Sequence, residues 1–278
     1  MGTSRIDLPD ITLSVTDVGQ GPVVVLLHGF PDRAQMWSAQ IDALVADGHR
    51  VIAPDLRGFG ESDRPDDVAA YRIRRSVGDV LALLDVLGID EATAAGHDFG
   101  AVVGWVLAMS SPRVTRYAAL SVGHPAVGRD LDQLALSWYM LWFLFPGVAE
   151  DVLPADDWAF LRRWAHPDAG PDDAMVARQI ADLERPGALT AGLNWYRANI
   201  DPAGFVRSGR EVPPVPCPVL GVWSTDDIAL GEEQMTASAD HVTGGWRYER
   251  LEGVGHWMPV RAADQVSRLL VEHLGATG

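Results

Sequence analysis

The sequence contains 278 residues, of which 47% are hydrophobic, enough for a sizeable folded core. Its net charge of −16 argues against nucleic acid or an anionic membrane as a partner. The single cysteine excludes an internal disulfide bond. The N-terminal residues lack the apolar segment of a secretory signal, and the most apolar run, residues 134–148, is too short to cross a membrane. We therefore expect a cytoplasmic protein. The sequence leaves its oligomeric state open, and a homodimer is one possibility.

The first 122 residues alternate between strand-like and helix-like segments. Residues 11–16 alternate apolar and polar positions, as a half-buried strand does, and residues 23–27 are a continuous apolar run typical of a central parallel strand. The predicted strands of this part are 11–16, 23–27, 51–53, 92–96 and 114–122, and the predicted helices are 36–46, 77–87 and 102–109. This alternation predicts an α/β fold with a mostly parallel, doubly wound sheet.

The alternation breaks after residue 125. Residues 126–213 are rich in tryptophan and helical in pattern, with prolines at their joints. Strands at 219–223 and 248–251 and a helix at 262–274 then resume the sheet pattern. We expect a first core segment (1–125), an inserted helical cap (126–213) and a second core segment (214–278). Because ligands bind beyond the carboxyl ends of parallel strands, we expect the cap to cover those ends.

The segment Gly96-His97-Asp98-Phe99-Gly100 joins the predicted strand 92–96 to the predicted helix 102–109. A strand followed by Gly-x-nucleophile-x-Gly and then by a helix is the arrangement of the nucleophile elbow of α/β-hydrolases. The glycines let the strand and helix backbones approach closely, and the helix N-terminus directs free amides at developing negative charge. These enzymes usually carry serine at the corner, whereas this chain carries Asp98.

An aspartate at this corner indicates a different chemistry from that of serine. A carboxylate is already ionised at neutral pH, so it needs no base to activate it. It can displace a leaving group from an sp³ carbon and form an alkyl ester, which water must then hydrolyse. Asp98 therefore points to epoxides or alkyl halides as substrates rather than to acyl esters.

Two further residues complete the catalytic set. Asp227 follows the predicted strand 219–223, where this fold places its acid, and His256 follows the last predicted strand, where it places its base. The chain order nucleophile, acid, histidine is that of the α/β-hydrolases. We prefer Asp227 to Asp226 as the acid because Asp227 lies four residues beyond Trp223, in the loop that faces the histidine. Asp226 is then a solvated neighbour.

The segment His28-Gly29-Phe30-Pro31 follows the predicted strand 23–27. In this fold the loop after the third strand supplies a backbone amide that pairs with the amide after the nucleophile. Here those amides belong to Phe30 and Phe99. We expect them to hold the oxyanion that forms when water attacks the Asp98 ester.

These motifs resemble those of the α/β-hydrolase-fold epoxide hydrolases over nearly the full length of the chain. Residues 193–197 are similar to the cap motif whose tyrosine, here Tyr196, holds the epoxide oxygen in that family. Tyr139 falls where the family has its other ring-opening tyrosine. Phenols suit this task because they can protonate an alkoxide while staying neutral at pH 7. The family often has tryptophan where this chain has Phe99, a change that keeps the backbone amide but alters the pocket.

The resemblance implies a hydrolase that converts a small apolar epoxide and water into a vicinal diol, with no cofactor and no metal ion. The implied catalytic residues are Asp98, His256, Asp227, Tyr139 and Tyr196. The implied substrate-binding residues are His28, Pro31, Trp142, Trp195 and Trp257.

Haloalkane and haloacetate dehalogenases share the Asp–His–Asp set and stay open as alternatives. Halide release needs N–H donors, and Phe99 offers no side-chain donor beside the nucleophile, although Trp142 or Trp195 could. Haloacetate enzymes usually carry arginine after the nucleophile, and Phe99 cannot replace it. The two cap tyrosines favour the epoxide. A third alternative is a ligand receptor on the same fold with little or no turnover.

Overall fold

In the computed structural model, which describes residues 2–205 and 212–274, an eight-stranded sheet forms the centre of the molecule. Its strands are β1 (Thr3–Asp7), β2 (Thr12–Gly19), β3 (Val23–Leu27), β4 (Arg50–Pro54), β5 (Ala92–His97), β6 (Val114–Leu120), β7 (Val219–Asp226) and β8 (Trp246–Gly255). They lie in the order β1-β2-β4-β3-β5-β6-β7-β8. The β1–β2 and β2–β4 pairs are antiparallel, and every other pair is parallel. The mostly parallel α/β sheet predicted from the sequence is confirmed.

Helices cover the sheet and fill the long connection between β6 and β7. The helices of the described residues are α1 (Ser38–Ala46), α2 (Ile73–Val86), α3 (Phe99–Ser110), α4 (Leu131–Leu136), α5 (Trp138–Phe143), α6 (Val148–Val152), α7 (Ala155–Phe160), α8 (Ala174–Leu183), α9 (Ala188–Asn199), α10 (Pro202–Phe205), α11 (Glu232–Thr236), α12 (Met258–Arg261) and α13 (Ala263–Leu274). Short 3₁₀ or π turns cover Ala34–Trp37, Val68–Tyr71, Leu161–Ala165 and Ala237–His241. Within the described part of the chain, none of the helices has the length and apolar character needed to span a bilayer.

The hydrophobic core lies on both faces of the sheet because successive residues of a strand point to opposite faces. In β3, Val25 and Leu27 pack in one buried cluster, and Val24 and Leu26 pack in another. Residues of α2 and α3 complete the first cluster, and residues of α1 and α13 complete the second. Because both faces are covered, the central strands are apolar throughout rather than alternating.

Helices α4–α10 occupy the connection between β6 and β7. Residues of α5–α9 form a buried cluster of their own, which includes Phe143, Trp158 and Leu193 and extends to Trp257 of the core. We propose that α4–α10 form a cap over the sheet, inside the predicted boundaries 126–213. The predicted core and cap segments also include residues 1, 206–211 and 275–278, which lie outside the described residues.

Candidate active site

Asp98 occupies the sharp turn between β5 and α3. Its backbone φ of 53° and ψ of −124° fall where residues other than glycine rarely lie. The turn depends on a close approach of strand and helix. A Cβ at Gly96 would lie 2.4 Å from the Gly100 carbonyl oxygen, and a Cβ at Gly100 would lie 2.1 Å from that of Leu27. The backbone therefore has the elbow geometry expected from the sequence.

Backbone amides hold the Asp98 carboxylate. The Phe30 N–H donates to Oδ1 at 2.8 Å, and the nearby Phe99 N–H helps to lower the pKa of the same carboxylate. The loop can come this close only because residue 29 is glycine, since a Cβ there would lie 2.3 Å from Oδ1. Burial raises the pKa of Asp98, and the charge of His256 and the two amides oppose that rise. The same two amides are positioned to stabilise an oxyanion formed at the Asp98 carboxyl carbon.

His256 lies between Asp227 and the elbow. Its Nδ1 is 3.1 and 3.0 Å from Oδ1 and Oδ2 of Asp227, and its Nε2 is 3.8 Å from Oδ2 of Asp98. Asp227 also accepts the N–H groups of Ala229 and Leu230, at 2.9 and 3.0 Å. Burial alone would lower the pKa of His256, but the Asp227 carboxylate and its hydrogen bond, together with Asp98, raise it. An imidazole oriented in this way can act as a general base near Asp98.

Tyr139 of α5 and Tyr196 of α9 line the same cavity as Asp98. Their ring centroids lie 6.3 Å apart, so the two phenols are neighbours in the cavity. Both side chains are buried, and burial raises the pKa of each well above the usual range for tyrosine. Both hydroxyls therefore stay protonated at neutral pH and can donate to an oxygen anion.

The cavity that contains these groups lies between helices α5–α9 and the carboxyl end of the sheet. Its lining residues are Phe30, Pro31, Asp98, Tyr139, Phe143, Leu153, Trp158, Phe160, Leu161, Trp164, Ala165, Leu183, Tyr196, Ile228, Ala229, His256 and Trp257. Asp227 is not among them and lies behind His256. Walls of this composition suit a largely apolar, uncharged molecule.

His28 does not line the cavity, and its contact with substrate stays a prediction. The side chain is fully buried. Its Nδ1 donates to the Gly29 carbonyl at 3.0 Å, and its Nε2 accepts the Leu56 N–H at 2.8 Å. Both nitrogens thus join the loop after β3 to the loop after β4. His28 shapes the loop that carries the Phe30 amide.

Trp142 and Trp195 also lie outside the lining, and their contact with substrate stays a prediction. The Trp195 indole is fully buried and donates to a backbone carbonyl of the core at 3.0 Å. Trp142 packs edge-on against Phe143 and Phe160, with ring centroids 4.6 and 5.2 Å away. Tyr139 and Phe143, an i, i+4 pair, take the inward face of α5, so Trp142 lies beside that face rather than on it.

Pro31 and Trp257 do line the cavity. Their contact with substrate stays a prediction, since their position shows only that they can reach a molecule bound beside Asp98.

Comparison with known proteins assigns the chain to a family. A family model described as the alpha/beta hydrolase fold matches residues 22–261. The chain belongs to the alpha/beta hydrolase family. This α/β-hydrolase is 32% identical to Epoxide hydrolase A of Mycobacterium tuberculosis, with 97% of this chain and 96% of the relative covered. It is also 32% identical to an Epoxide hydrolase of Caballeronia sordidicola, with coverage of 95% and 91%.

A solved structure agrees with these relatives. The crystal structure of Epoxide Hydrolase A from Mycobacterium thermoresistibile matches this α/β-hydrolase with a TM-score of 0.84 at 32% identity, covering 99% of this chain and 98% of the other. The family resemblance predicted from the motifs is confirmed.

The sequence did not reveal most of the apolar walls of the α/β-hydrolase cavity. Trp158, Phe160 and Trp164 lie within the cap and line the cavity, and the rings of Phe160 and Trp164 stack with centroids 4.9 Å apart. Apolar residues that face a cavity and apolar residues that face a helix core follow the same pattern, so no signal in the sequence distinguishes the two.

A buried chain of polar groups between cap and core was also missed. Asp32, directly after Pro31, accepts from Gln179 at 2.8 Å and from Arg178 at 3.0 Å. His166 Nε2–H donates to Gln179 at 2.7 Å. These contacts tie α8 to the loop that carries the Phe30 amide. The sequence shows a charged residue directly after His28-Gly29-Phe30-Pro31, but it does not indicate which residues that carboxylate binds.

Proposed function

We propose that the protein hydrolyses an apolar epoxide to a vicinal diol through a covalent ester on Asp98. The observation that carries this proposal is the setting of the Asp98 carboxylate. Its Oδ1 accepts the Phe30 amide at 2.8 Å, and its Oδ2 lies 3.8 Å from Nε2 of His256. Two relatives that share nearly the whole chain are named epoxide hydrolases, which supports the substrate class.

In the first step, Asp98 attacks one carbon of the epoxide ring and the bond from that carbon to the ring oxygen breaks. Oδ2 is the attacking atom because Oδ1 is held by the Phe30 N–H. The released alkoxide takes a proton from Tyr139 or Tyr196, which burial keeps protonated. The step leaves a hydroxyalkyl ester on Asp98 and a tyrosinate.

In the second step, water attacks the carboxyl carbon of Asp98 while Nε2 of His256 takes one of its protons. The amides of Phe30 and Phe99 stabilise the oxyanion, and such a donor contributes about 3 kcal/mol. Collapse releases the second diol oxygen. The protons held by His256 and by the regenerated Asp98 carboxyl group pass to that oxygen and to the tyrosinate, which restores the enzyme.

The two steps are linked through the charge of Asp98. In the free enzyme that charge is one of the causes that raise the pKa of His256. Ester formation removes it, so the imidazole loses its proton more readily in the intermediate. His256 is therefore better suited to act as a base in the step that needs one.

A dehalogenase built on the same residues has less support. The two relatives named above are epoxide hydrolases, and the Trp195 indole, one of the halide donors considered, already donates to a core carbonyl at 3.0 Å. Measuring halide release from haloalkanes and haloacetate alongside diol formation from epoxides compares the two activities directly. Turnover of any of them excludes a receptor without catalysis.

A single turnover in ¹⁸O-labelled water, with enzyme in excess, tests the covalent route. The oxygen added to the first diol should come from Asp98 and carry no label, and the label should enter the Asp98 carboxylate. Label in the first diol, with none in the peptide that contains Asp98, would show that water attacks the epoxide directly.

His256→Gln separates the two steps. This variant should still form the ester but should not hydrolyse it, so mass spectrometry should show the protein plus one substrate. His273→Gln is the matched control, because His273 is also buried but donates to the Tyr117 carbonyl at 3.0 Å, outside the cavity lining. Diol formation by His256→Gln at the wild-type rate contradicts the assignment of the base.

A further inference from the structure

Asp32 is a buried carboxylate that receives two donors from α8. Its side chain is 2% exposed. Arg178 donates to Oδ1 at 3.0 Å, and Gln179 donates to Oδ2 at 2.8 Å. A buried carboxylate is unfavourable unless donors of this kind satisfy its oxygens. Because Asp32, Arg178 and Gln179 lie outside the cavity lining, none of them is placed to touch a substrate.

Asp32 also closes the turn that contains Phe30. Its backbone N–H donates to the Gly29 carbonyl at 3.0 Å, so residues 29–32 form a hydrogen-bonded turn. The Phe30 N–H of this turn donates to Oδ1 of Asp98 at 2.8 Å. The bonds that hold the Asp32 side chain therefore fix one end of the turn that presents this N–H.

The same network reaches the loop that carries His256. Gln179 Oε1 accepts from His166 Nε2–H at 2.7 Å. The His166 ring packs on the Trp257 ring, with centroids 3.8 Å apart, and Trp257 directly follows His256. Through these contacts α8 is connected to the loop of the Phe30 amide as well as to the loop of the base.

The Phe30 N–H is needed more in the second step of the proposed reaction than in the first. During attack on the epoxide, the charge of the Asp98 carboxylate passes to the ring oxygen, so the hydrogen bond to Oδ1 weakens. When water attacks the ester, charge builds up on Oδ1 and the same bond strengthens. Only an interaction that is stronger in the transition state accelerates a step. A displaced Phe30 N–H should therefore slow ester hydrolysis and spare ester formation.

We propose that Asp32 is a positioning residue for ester hydrolysis, through which α8 holds the Phe30 N–H in place. This inference rests on the proposed function and deepens it. Asp32 acts through the geometry of the turn rather than through its charge. That charge is one of the causes that raise the pKa of His256, so its loss alone would leave more of the imidazole in the unprotonated form that the step requires.

Asp32→Asn and Arg178→Met test the proposal, with phenyl glycidyl ether as the probe. Asparagine keeps the shape of Asp32 but replaces one acceptor oxygen by a donor, and Arg178→Met removes one of the two donors. Because the Arg178 side chain is 23% exposed, its variant should fold even if Asp32→Asn does not.

In a single turnover with enzyme in excess, both variants should slow ester hydrolysis about tenfold or more and change ester formation less than about twofold. Rapid quenching and mass spectrometry of the peptide that contains Asp98 measure both steps. A loss of folded protein lowers the amplitude of both phases but not the ratio of their rates. Equal slowing of the two steps would make Asp32 a structural residue and overturn the proposal.

Arg261→Met is the matched control. Arg261 also ties α8 to the core, through Asp173 at 2.7 Å, but this contact lies at the N-terminal end of α8 rather than at the turn. The variant should leave the ratio of the two rates unchanged. If it slows ester hydrolysis as selectively as Asp32→Asn, then α8 supports the site as a whole and the specific role of Asp32 is wrong.

Hydrogen exchange tests the positioning without any turnover. The Phe30 amide should exchange faster in Asp32→Asn and in Arg178→Met than in the wild-type protein and in Arg261→Met. Unchanged exchange overturns the proposal whether or not the protein hydrolyses epoxides. Failure of the proposed function looks different, because the wild-type protein would then form no ester from the epoxide while the differences in exchange remain.

Discussion

His256 has a pKa that depends on its two carboxylate neighbours. Both Asp227 and Asp98 raise it, and in the proposed reaction the contribution of Asp98 disappears once the ester forms. A protonated imidazole cannot take a proton from water, so the second step should slow as the pH falls below the pKa of His256. We expect the fraction of enzyme held as the ester during turnover to rise between pH 8 and pH 6, as measured by rapid quenching and mass spectrometry. A constant fraction across this range would contradict the role of His256.

Tyr139 and Tyr196 should act jointly in the first step. A positioned acid typically contributes about 10²–10⁴-fold to a rate. Replacing both tyrosines with phenylalanine should lower ester formation by a factor in this range, and either single replacement should cost less because one hydroxyl remains. Tyr248→Phe is the control, since Tyr248 donates to Glu232 at 2.7 Å outside the cavity lining. Rapid-quench measurement of ester formation gives the rates, and a double variant as fast as the Tyr248 control would make the cavity tyrosines packing residues.

At the scale of elements, the loop after β3 and the elbow after β5 depend on each other. A Cβ at residue 29 would overlap the Asp98 carboxylate, at 2.3 Å from Oδ1 and 2.4 Å from Cβ. Gly29→Ala should therefore displace the nucleophile or the loop and lower kcat/KM at least 100-fold, roughly the effect of losing one oxyanion donor.

Gly78→Ala provides the matched control for this substitution. Gly78 lies inside α2 with open space around its Cβ position. Alanine there should raise the free energy of unfolding by up to about 1 kcal/mol and leave kcat/KM unchanged. Urea denaturation and steady-state kinetics measure both variants, and full activity in Gly29→Ala would show that the loop is not constrained by the elbow.

The sequence predicted the strands and helices whose burial produces a clear pattern of apolar residues. The run at 23–27 coincides with β3 because that strand is buried on both faces. β1 was not predicted, because its residues Thr3–Asp7 form an exposed edge strand with a single apolar residue, Ile6, and are held by pairing with β2. Such pairing depends on a partner elsewhere in the chain, which local periodicity does not record.

Site residues were predicted where their position depends on the end of a strand. Asp98, Asp227 and His256 each follow a strand, and the sheet order brings those ends together. The sequence could not show that Trp142 and Trp195 lie outside the lining, because it gives the type of a side chain but not its direction on a short helix.

At the scale of the whole molecule, several histidines are buried in neutral form. Burial lowers the pKa of His97 to about 3 and those of His166 and His273 to about 4. The unfolded chain binds protons at these residues below about pH 6.5, so the folded state loses stability as the pH falls from 6.5 towards 4. Each such histidine should lower the free energy of unfolding by about 1.4 kcal/mol per pH unit in this window. His256 acts in the opposite direction because its pKa is raised.

We expect the free energy of unfolding, from urea denaturation, to be lower at pH 5.5 than at pH 7.5. His273→Gln should reduce this difference by about 1.4 kcal/mol, because the glutamine side chain does not titrate. The comparison is between the two pH values within each protein, so a general loss of stability in the variant cancels. An unchanged difference would show that His273 takes up a proton in the folded state as well.

The insertion of the cap between β6 and β7 has a consequence for how the chain folds. The two strands are neighbours in the sheet, yet about 98 residues separate Leu120 from Val219. Closing a loop of that length costs about 4 kcal/mol of chain entropy before the strands gain anything from pairing. The segment up to β6 carries the nucleophile and can assemble early, whereas Asp227 and His256 lie beyond the loop and should join late. During folding, the proposed nucleophile should thus be in place before the groups proposed to hydrolyse its ester.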